Sequence, residues 1–180
     1  MKIAVVVGSL RKGSYSRMIA KAMCGLAPQL ECELVEIGQL PLYNADLDEG
    51  SPPKEWTAFR ERIRSADAVL FVTPEYNRSV PGALKNAIDV GSRPYGKSAW
   101  AKKPAAVVSV SPGALSAFGA NHHLRQSFVF LDMPAMQQPE AYVGGVAKLF
   151  DAEGQLANAD TREFLRKFME SFAAWIRANK

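Results

Sequence analysis

Cysteine and histidine are scarce in this 180-residue chain, at two residues each. Cys24 and Cys32 have no C-x-x-C spacing and read as two buried thiols of a reducing compartment. His122 and His123 are adjacent, so on a helix they point to different faces and cannot jointly hold a metal; a structural or interface role is expected for them. No Ser-His-acid or metal-ligand pattern appears elsewhere. Low-complexity sequence is absent, and no apolar run approaches membrane-spanning length. The amino terminus enters an apolar strand at once, which leaves no room for a signal peptide. A soluble cytoplasmic chain with no membrane partner is the expectation. Excess charge is also small: 22 Lys and Arg against 18 Asp and Glu give +4. That favours the approach of an anionic ligand but is too mild to argue for nucleic acid. At this length a single domain spanning residues 1–180 can bury a core without disulfides or a structural metal.

Two further absences occur inside one loop. Gly8-Ser-Leu-Arg-Lys-Gly-Ser-Tyr-Ser-Arg17 follows the apolar run Lys2–Val7 and precedes a helical pattern at Met18–Met23. Gly8 and Gly13 have the spacing of a nucleoside-triphosphate loop, but Ser14 stands where its lysine should be. Leu10 stands where a dinucleotide fingerprint needs its second glycine. What is present is three hydroxyls (Ser9, Ser14, Ser16), the Arg11 guanidinium and a helix N-terminus with unpaired N–H groups, which suits one terminal monophosphate. A plain helix cap, with Ser14 or Ser16 satisfying free N–H groups, is the other reading of the same residues.

Apolar and amphipathic segments then alternate. Strands are predicted at 31–37, 68–73, 104–111 and 134–138, with helices opening after Ser51-Pro-Pro53, over 85–90, 115–131 and 161–179. Trp56, Phe59, Ile63 and Ala66 form one helix face, and Arg60, Arg62 and Arg64 read as its solvated side. Trp100, Lys102 and Lys103 read as a surface loop. Five βα alternations indicate an α/β doubly wound, five-stranded parallel sheet, flavodoxin-like in its order 2-1-3-4-5, with helices on both faces. In that order the ligand crevice lies outside the carboxyl ends of the first, third and fourth strands. The loops there are unusual, as a site requires: Thr73-Pro-Glu-Tyr-Asn77 after the third strand and Ser111-Pro-Gly113 after the fourth. Pro74 fixes the backbone so that the amides of Glu75, Tyr76 and Asn77 can face the edge of a flat heteroaromatic ring, on which Tyr76 could pack.

The segments GSLRKGSYSR, TPEYNRSVPGALKNAIDVGSRP and SVSPGA, with HLRQSFVFLDMP and the Val143–Gly145 glycines, resemble the NADPH-dependent FMN reductase family, most closely its bacterial quinone and chromate reductase branch. The resemblance covers essentially the whole chain. It implies non-covalent FMN, NADPH or NADH as donor, and a homodimer or homotetramer. It also implies that Ser9, Arg11 and Ser16 hold the FMN phosphate, that Pro74, Glu75, Tyr76 and Asn77 line the isoalloxazine, and that Ser111 and Gly113 bound its other side. Where relatives carry a second glycine-rich turn this chain has Ala114–Phe118, so no role passes to Leu115–Phe118. The implied activity is hydride transfer through the flavin to quinones, with chromate or nitroaromatics as further acceptors. No side-chain nucleophile or metal is needed, because the cofactor carries the chemistry. Arg78 and Arg93 are the cations nearest in sequence for an anionic acceptor, and Asp89 and Arg93 suit subunit contacts or the pocket rim. Two other functions share the fold: a flavin reductase that releases reduced FMN, and a flavodoxin-type electron carrier. Carriers of that type tend to be acidic, and this chain is basic.

Overall fold

The continuous apolar runs form strands, and the amphipathic segments between them form helices that cover the resulting sheet. The computed structural model describes residues 1–179. Its strands are β1 (Lys2–Val7), β2 (Glu31–Val35), β3 (Ala68–Thr73), β4 (Ala105–Val110) and β5 (Ala141–Val143). Its helices are α1 (Tyr15–Leu26), α2 (Ala45–Asp48), α3 (Lys54–Ser65), α4 (Gly82–Gly91), α5 (Phe118–Leu131) and α6 (Ala159–Ala178). All strand pairs are parallel, in the order β2-β1-β3-β4-β5. Register places Ile3 opposite Ala68 and Val69 opposite Ala105.

The chain steps one way from β1 to β2 and the other way thereafter. Because such crossovers are right-handed, the reversal sends α1 to one face and α3, α4 and α5 to the other. Side chains sort accordingly. Ile3, Val5 and Val7 pack with Ile19 and Met23 of α1 and with Phe168 and Phe172 of α6. Ala4 and Val6 pack with Trp56, Phe59 and Ile63 of α3 and with Leu124 and Phe128 of α5. Both faces of β3 and β4 are buried, as their unbroken apolar sequences require. This is the flavodoxin-like doubly wound fold, with its crevice where the strand order reverses.

Four local expectations are corrected. The last strand is Ala141–Val143, not 134–138; the earlier segment makes one bridge, Ala135 beside Ala105, before the chain leaves the ladder ahead of Pro139. Trp100 is fully buried, its indole donating to the Ile88 carbonyl at 3.0 Å, and Gly91 lets it approach, since a Cβ there would come within 2.4 Å of the ring. Arg60 is buried rather than solvated: it forks onto Asp48 at 2.8 and 2.7 Å and donates from Nε to the Val90 carbonyl at 2.8 Å. Cys24 and Cys32 are half-buried, packed against the edge of the α1–α6 core. Among the described residues, no helix is long and apolar enough to cross a membrane, and no three His, Cys, Asp or Glu side chains are grouped to hold a metal.

Candidate active site

Three loops at the carboxyl edge of the sheet enclose one cleft. The first leaves β1 at Gly8, whose N–H still donates to the Val72 carbonyl at 2.9 Å. A Cβ on Gly8 would lie 2.8 Å from Thr73 Oγ1 and 3.3 Å from Pro74, so only glycine lets this loop lie against the one after β3. Ser14 caps α1 by accepting from the Arg17 N–H at 3.1 Å. The helical N–H groups of Tyr15 and Ser16 have no partner within the described residues, and the first turn of α1 carries no acid to compete for an incoming anion. Ser9 and Ser16 are buried beside them, and the Ser16 hydroxyl has no hydrogen-bond partner among the described residues. The exposed Arg11 guanidinium is likewise unengaged. Arg17 is excluded from this cradle: it forks onto Glu36 at 2.6 and 2.8 Å. That hydrogen bonding holds the Glu36 carboxyl below its ordinary range and raises the Arg17 guanidinium further.

The second loop is a tight hairpin. Tyr76 and Ser79 exchange backbone bonds of 2.9 and 3.0 Å around Asn77 and Arg78, both at positive φ (50° and 65°), the geometry of a type I′ turn. The Tyr76 amide is therefore spent inside the turn, whereas the amides of Glu75 and Asn77 are unpaired within the described residues. Glu75 commits its carboxylate to the start of α5, accepting from the Ala120 N–H at 3.1 Å and from Arg78 at 3.2 Å. It supplies what α5 lacks, because Ala117, in the left-handed conformation, offers that helix no side-chain cap. Gly119 makes room for the carboxylate; a Cβ there would lie 2.9 Å from Glu75 Oε2. Sequence reading missed this role, although an uncapped helix with glycine in its first turn was a signal for it.

The third wall is Ser111–Gly113, where Ser111 Oγ accepts from the Gly113 N–H at 3.0 Å and the Ser111 N–H donates to the Val143 carbonyl at 2.9 Å. The cleft has a volume of about 170 Å³. Ser9, Arg11, Ser16, Pro74, Glu75, Tyr76 and Ser111 all line it; Asn77 and Gly113 flank it. Arg78 sits at the hairpin tip with its side chain 73% exposed. Arg93 is not brought to the cleft of its own chain: it follows the far end of α4, a ten-residue helix that begins at the cleft side and is about 15 Å long. The histidines diverge, His122 Nε2 lying 3.0 Å from the Tyr142 hydroxyl and His123 Nδ1 lying 2.9 Å from Ser79 Oγ. Burial, and then hydrogen bonding and charge from Glu140, push the Tyr142 phenol up to about 12, so it stays protonated at neutral pH. A buried polar chain unforeseen in the sequence stiffens this side: Ser109 donates to the Ser116 carbonyl at 2.8 Å, and Arg125 binds Asn121 Oδ1 at 2.9 Å and the Met136 carbonyl at 2.9 Å.

The donor set suits a single phosphomonoester. Hydroxyls, helix amides and one free guanidinium converge, with no lysine for a triphosphate and no second glycine for a pyrophosphate. FMN fits these residues.

Comparison with known proteins agrees with that geometry. Residues 1–148 match the family described as NADPH-dependent FMN reductase. The chain is 65% identical over 179 residues to a quinone reductase of Pseudomonas putida, covering 99% of this chain and 96% of that one. It is 47% identical over 178 residues to a 2-hydroxy-1,4-benzoquinone reductase of Burkholderia sp, covering 98% and 97%. Among solved structures it is similar to FerB, a flavoenzyme NAD(P)H:(acceptor) oxidoreductase from Paracoccus denitrificans, with a TM-score of 0.93 at 42% identity over 99% of this chain and 98% of that one. A family match over most of the chain, and relatives of this identity aligned almost end to end, have one meaning: the chain belongs to the NADPH-dependent FMN reductase family.

Proposed function

We propose that this protein is a single-domain, cytoplasmic NAD(P)H:quinone oxidoreductase that works through one non-covalent FMN. The observation that carries the reading is the convergence of three loops on one cleft, with a single-phosphate cradle at one end and a Pro-fixed backbone strip at the other. When bound, FMN would accept a hydride from the nicotinamide and deliver the reducing equivalents to a quinone. The chain's own residues do the rest. Arg11 neutralises the phosphate, while the Ser16 hydroxyl and the α1 amides donate to it. The unpaired amides of Glu75 and Asn77 offer donors to the polar edge of the ring, and Tyr76, half exposed at the mouth, packs on the ring and sheds water from it. At about 170 Å³ the cleft is smaller than typical ligand pockets of roughly 300–1,000 Å³, so it holds part of the cofactor and leaves access for donor and acceptor in turn.

Arg78, at the tip of the hairpin that follows β3 and paired with Glu75, is the cation that would serve an anionic acceptor such as chromate. Arg93, remote from its own cleft, suits a subunit contact in a homodimer or homotetramer. The exposed Val129 (84%) and Phe130 (77%) of α5 support self-association.

Anaerobic addition of NADPH to the yellow holoprotein tests the reading. Direct bleaching, colour returned by benzoquinone, and FMN retained through gel filtration are the expected results. No bleaching without a separate reductase would mark an electron carrier, and loss of flavin on reduction would mark a flavin-releasing enzyme.

A further inference from the structure

On the α1–α6 face, away from the cleft, a second cavity of about 510 Å³ opens between the C-terminal half of α1 and the hairpin that joins β5 to α6. That volume is within the range of small-molecule sites, roughly 300–1,000 Å³. The helical wall is recessed because small residues follow Met18 along one stripe, at Ala22 and Gly25. A side chain built on Gly25 would meet nothing within 4 Å. The facing wall is held in place by its own bonds. Phe150 and Leu156 bridge the hairpin, the Gln155 N–H donates to Asp151 Oδ1 at 2.7 Å, and Arg162 of α6 donates to the Leu156 carbonyl at 2.6 Å. The cavity is thus formed before any ligand arrives.

Its charge is one-sided. Among the described residues, Lys21 and Arg162 are the ionisable ones that line it. The Lys21 ammonium and the Gln155 side-chain amide have no partner among the described residues, and the Arg162 guanidinium spends one donor on Leu156. By contrast, Lys85 is neutralised by Asp89 at 2.8 Å and Arg166 by Glu163 at 2.7 Å, each within its own helix. Among the described residues no carboxylate lines the cavity, the hairpin's Asp151 being turned to the Gln155 N–H, and beneath the free donors lies an apolar floor of Leu26, Phe150 and Leu156. An anionic head on a flat apolar body meets both demands at once. We propose that this cavity is a second ligand site, distinct from the cleft, for small aromatic anions: Lys21, Gln155 and Arg162 take the carboxylate or sulfonate, and Leu26, Phe150 and Leu156 take the ring.

Calorimetric titration of the FMN-loaded protein with 8-anilinonaphthalene-1-sulfonate tests it. One saturable site per chain is expected that does not compete with benzoquinone, with the uncharged N-phenyl-1-naphthylamine binding at least about tenfold more weakly. Lys21→Glu should weaken the sulfonate by about tenfold or more, and Gly25→Trp, which fills the space, should abolish its binding. FMN content and quinone turnover should be unchanged in both. Lys21 lies on an exposed helix face, so its variant folds and decides the matter even if the tryptophan is poorly tolerated. Absence of saturable binding, an isotherm unaltered by Lys21→Glu, or competition with benzoquinone would each overturn the proposal.

Discussion

The loop after β1 and the segment after β2 are neighbours at the same end of the sheet, close enough that a Cβ on Gly38 would lie 3.1 Å from Leu10. Both are irregular and rich in polar residues, yet they are finished in opposite ways. The first leaves the Arg11 guanidinium, the Ser16 hydroxyl and two helix amides unpaired among the described residues. In the second, polar groups are tied to the body. The Trp56 indole donates to the Pro41 carbonyl at 2.9 Å, and Asn86 accepts from the Tyr43 N–H at 2.8 Å and donates to the carbonyls of Leu40 and Pro41 at 3.2 and 3.0 Å. Asp48 closes the segment on Arg60. Topology explains the difference: strand order reverses between β1 and β3, so a crevice opens beside the first loop and none beside the second. An irregular segment marks a site where its donors are left over, not where it is merely long.

The comparison breaks hardest at the Asp48–Arg60 pair, whose side chains are only 7% and 4% exposed. Asp48→Ala leaves a buried guanidinium without its counter-ion and should lower stability by about 3–5 kcal/mol in urea denaturation. Asp48→Leu combined with Arg60→Met should regain most of that loss, because two apolar groups carry no unpaired charge. A loss below about 1 kcal/mol in the single variant would show that the second segment is no more closed than the first.

In the open loop the same kind of deletion should act on ligand and not on fold. Arg11→Ala removes a charge-assisted contact of about 1.5–3 kcal/mol, which weakens FMN by about ten- to a hundredfold. Apoprotein stability should move by no more than about 0.5 kcal/mol, since the guanidinium has no partner among the described residues to lose. Fluorescence titration of the apoprotein measures the first quantity and thermal melting the second.

That asymmetry also explains what could be read from the sequence. Strands β1, β3 and β4 were legible because burial on both faces demands unbroken apolar runs. The cleft residues were legible because turns and anion sites need particular residue types, here Gly8, Ser14 and Pro74. Closure was not legible, because its partners are remote: Arg60 meets Asp48 across 12 positions and Asn86 meets Leu40 across 46. Arg60 and Trp100 looked solvated for the same reason, as arginines or lysines flank them in the chain while their acceptors come from elsewhere. Strand β5 was misplaced because three residues on a sheet edge carry too little pattern to outweigh the apolar residues at 134–136.

Glu75 lies between the two extremes, a residue of the open cleft whose carboxylate is closed onto α5. Glu75→Ala should therefore move both readouts by a middling amount. Loss of the only carboxylate at the Ala120 N–H removes a cap of about 1 kcal/mol from apoprotein stability. The freed hairpin should weaken FMN by a few fold. Glu75→Gln keeps an acceptor oxygen and should restore most of the stability. If the glutamine variant behaves like alanine, charge rather than geometry holds the hairpin to α5.

The smallest effect is expected from Glu36, and its sign distinguishes a neutralised arginine from a free one. Arg17 lies three residues beyond the Ser14 cap, yet its fork on Glu36 keeps it out of the phosphate cradle. That hydrogen bonding depresses the Glu36 carboxyl in the folded state, so the pair contributes stability above the unfolded glutamate value of about 4.3 and loses it as pH falls through the lower folded value. Glu36→Gln should accordingly be less stable than the parent at pH 7, with the gap closing as acid is added below about pH 4. Glu36 is 52% exposed, so screening limits the gap to at most about 1 kcal/mol, and 1 M salt should shrink it further. FMN affinity at pH 7 is the sharper readout. Arg17 released from Glu36 still leaves the helix beyond the amides of Tyr15 and Ser16, so affinity should stay within about twofold, under 0.5 kcal/mol. Tighter FMN binding in Glu36→Gln would mean that Arg17 can swing into the cradle, and that Glu36 sets how open the first loop is.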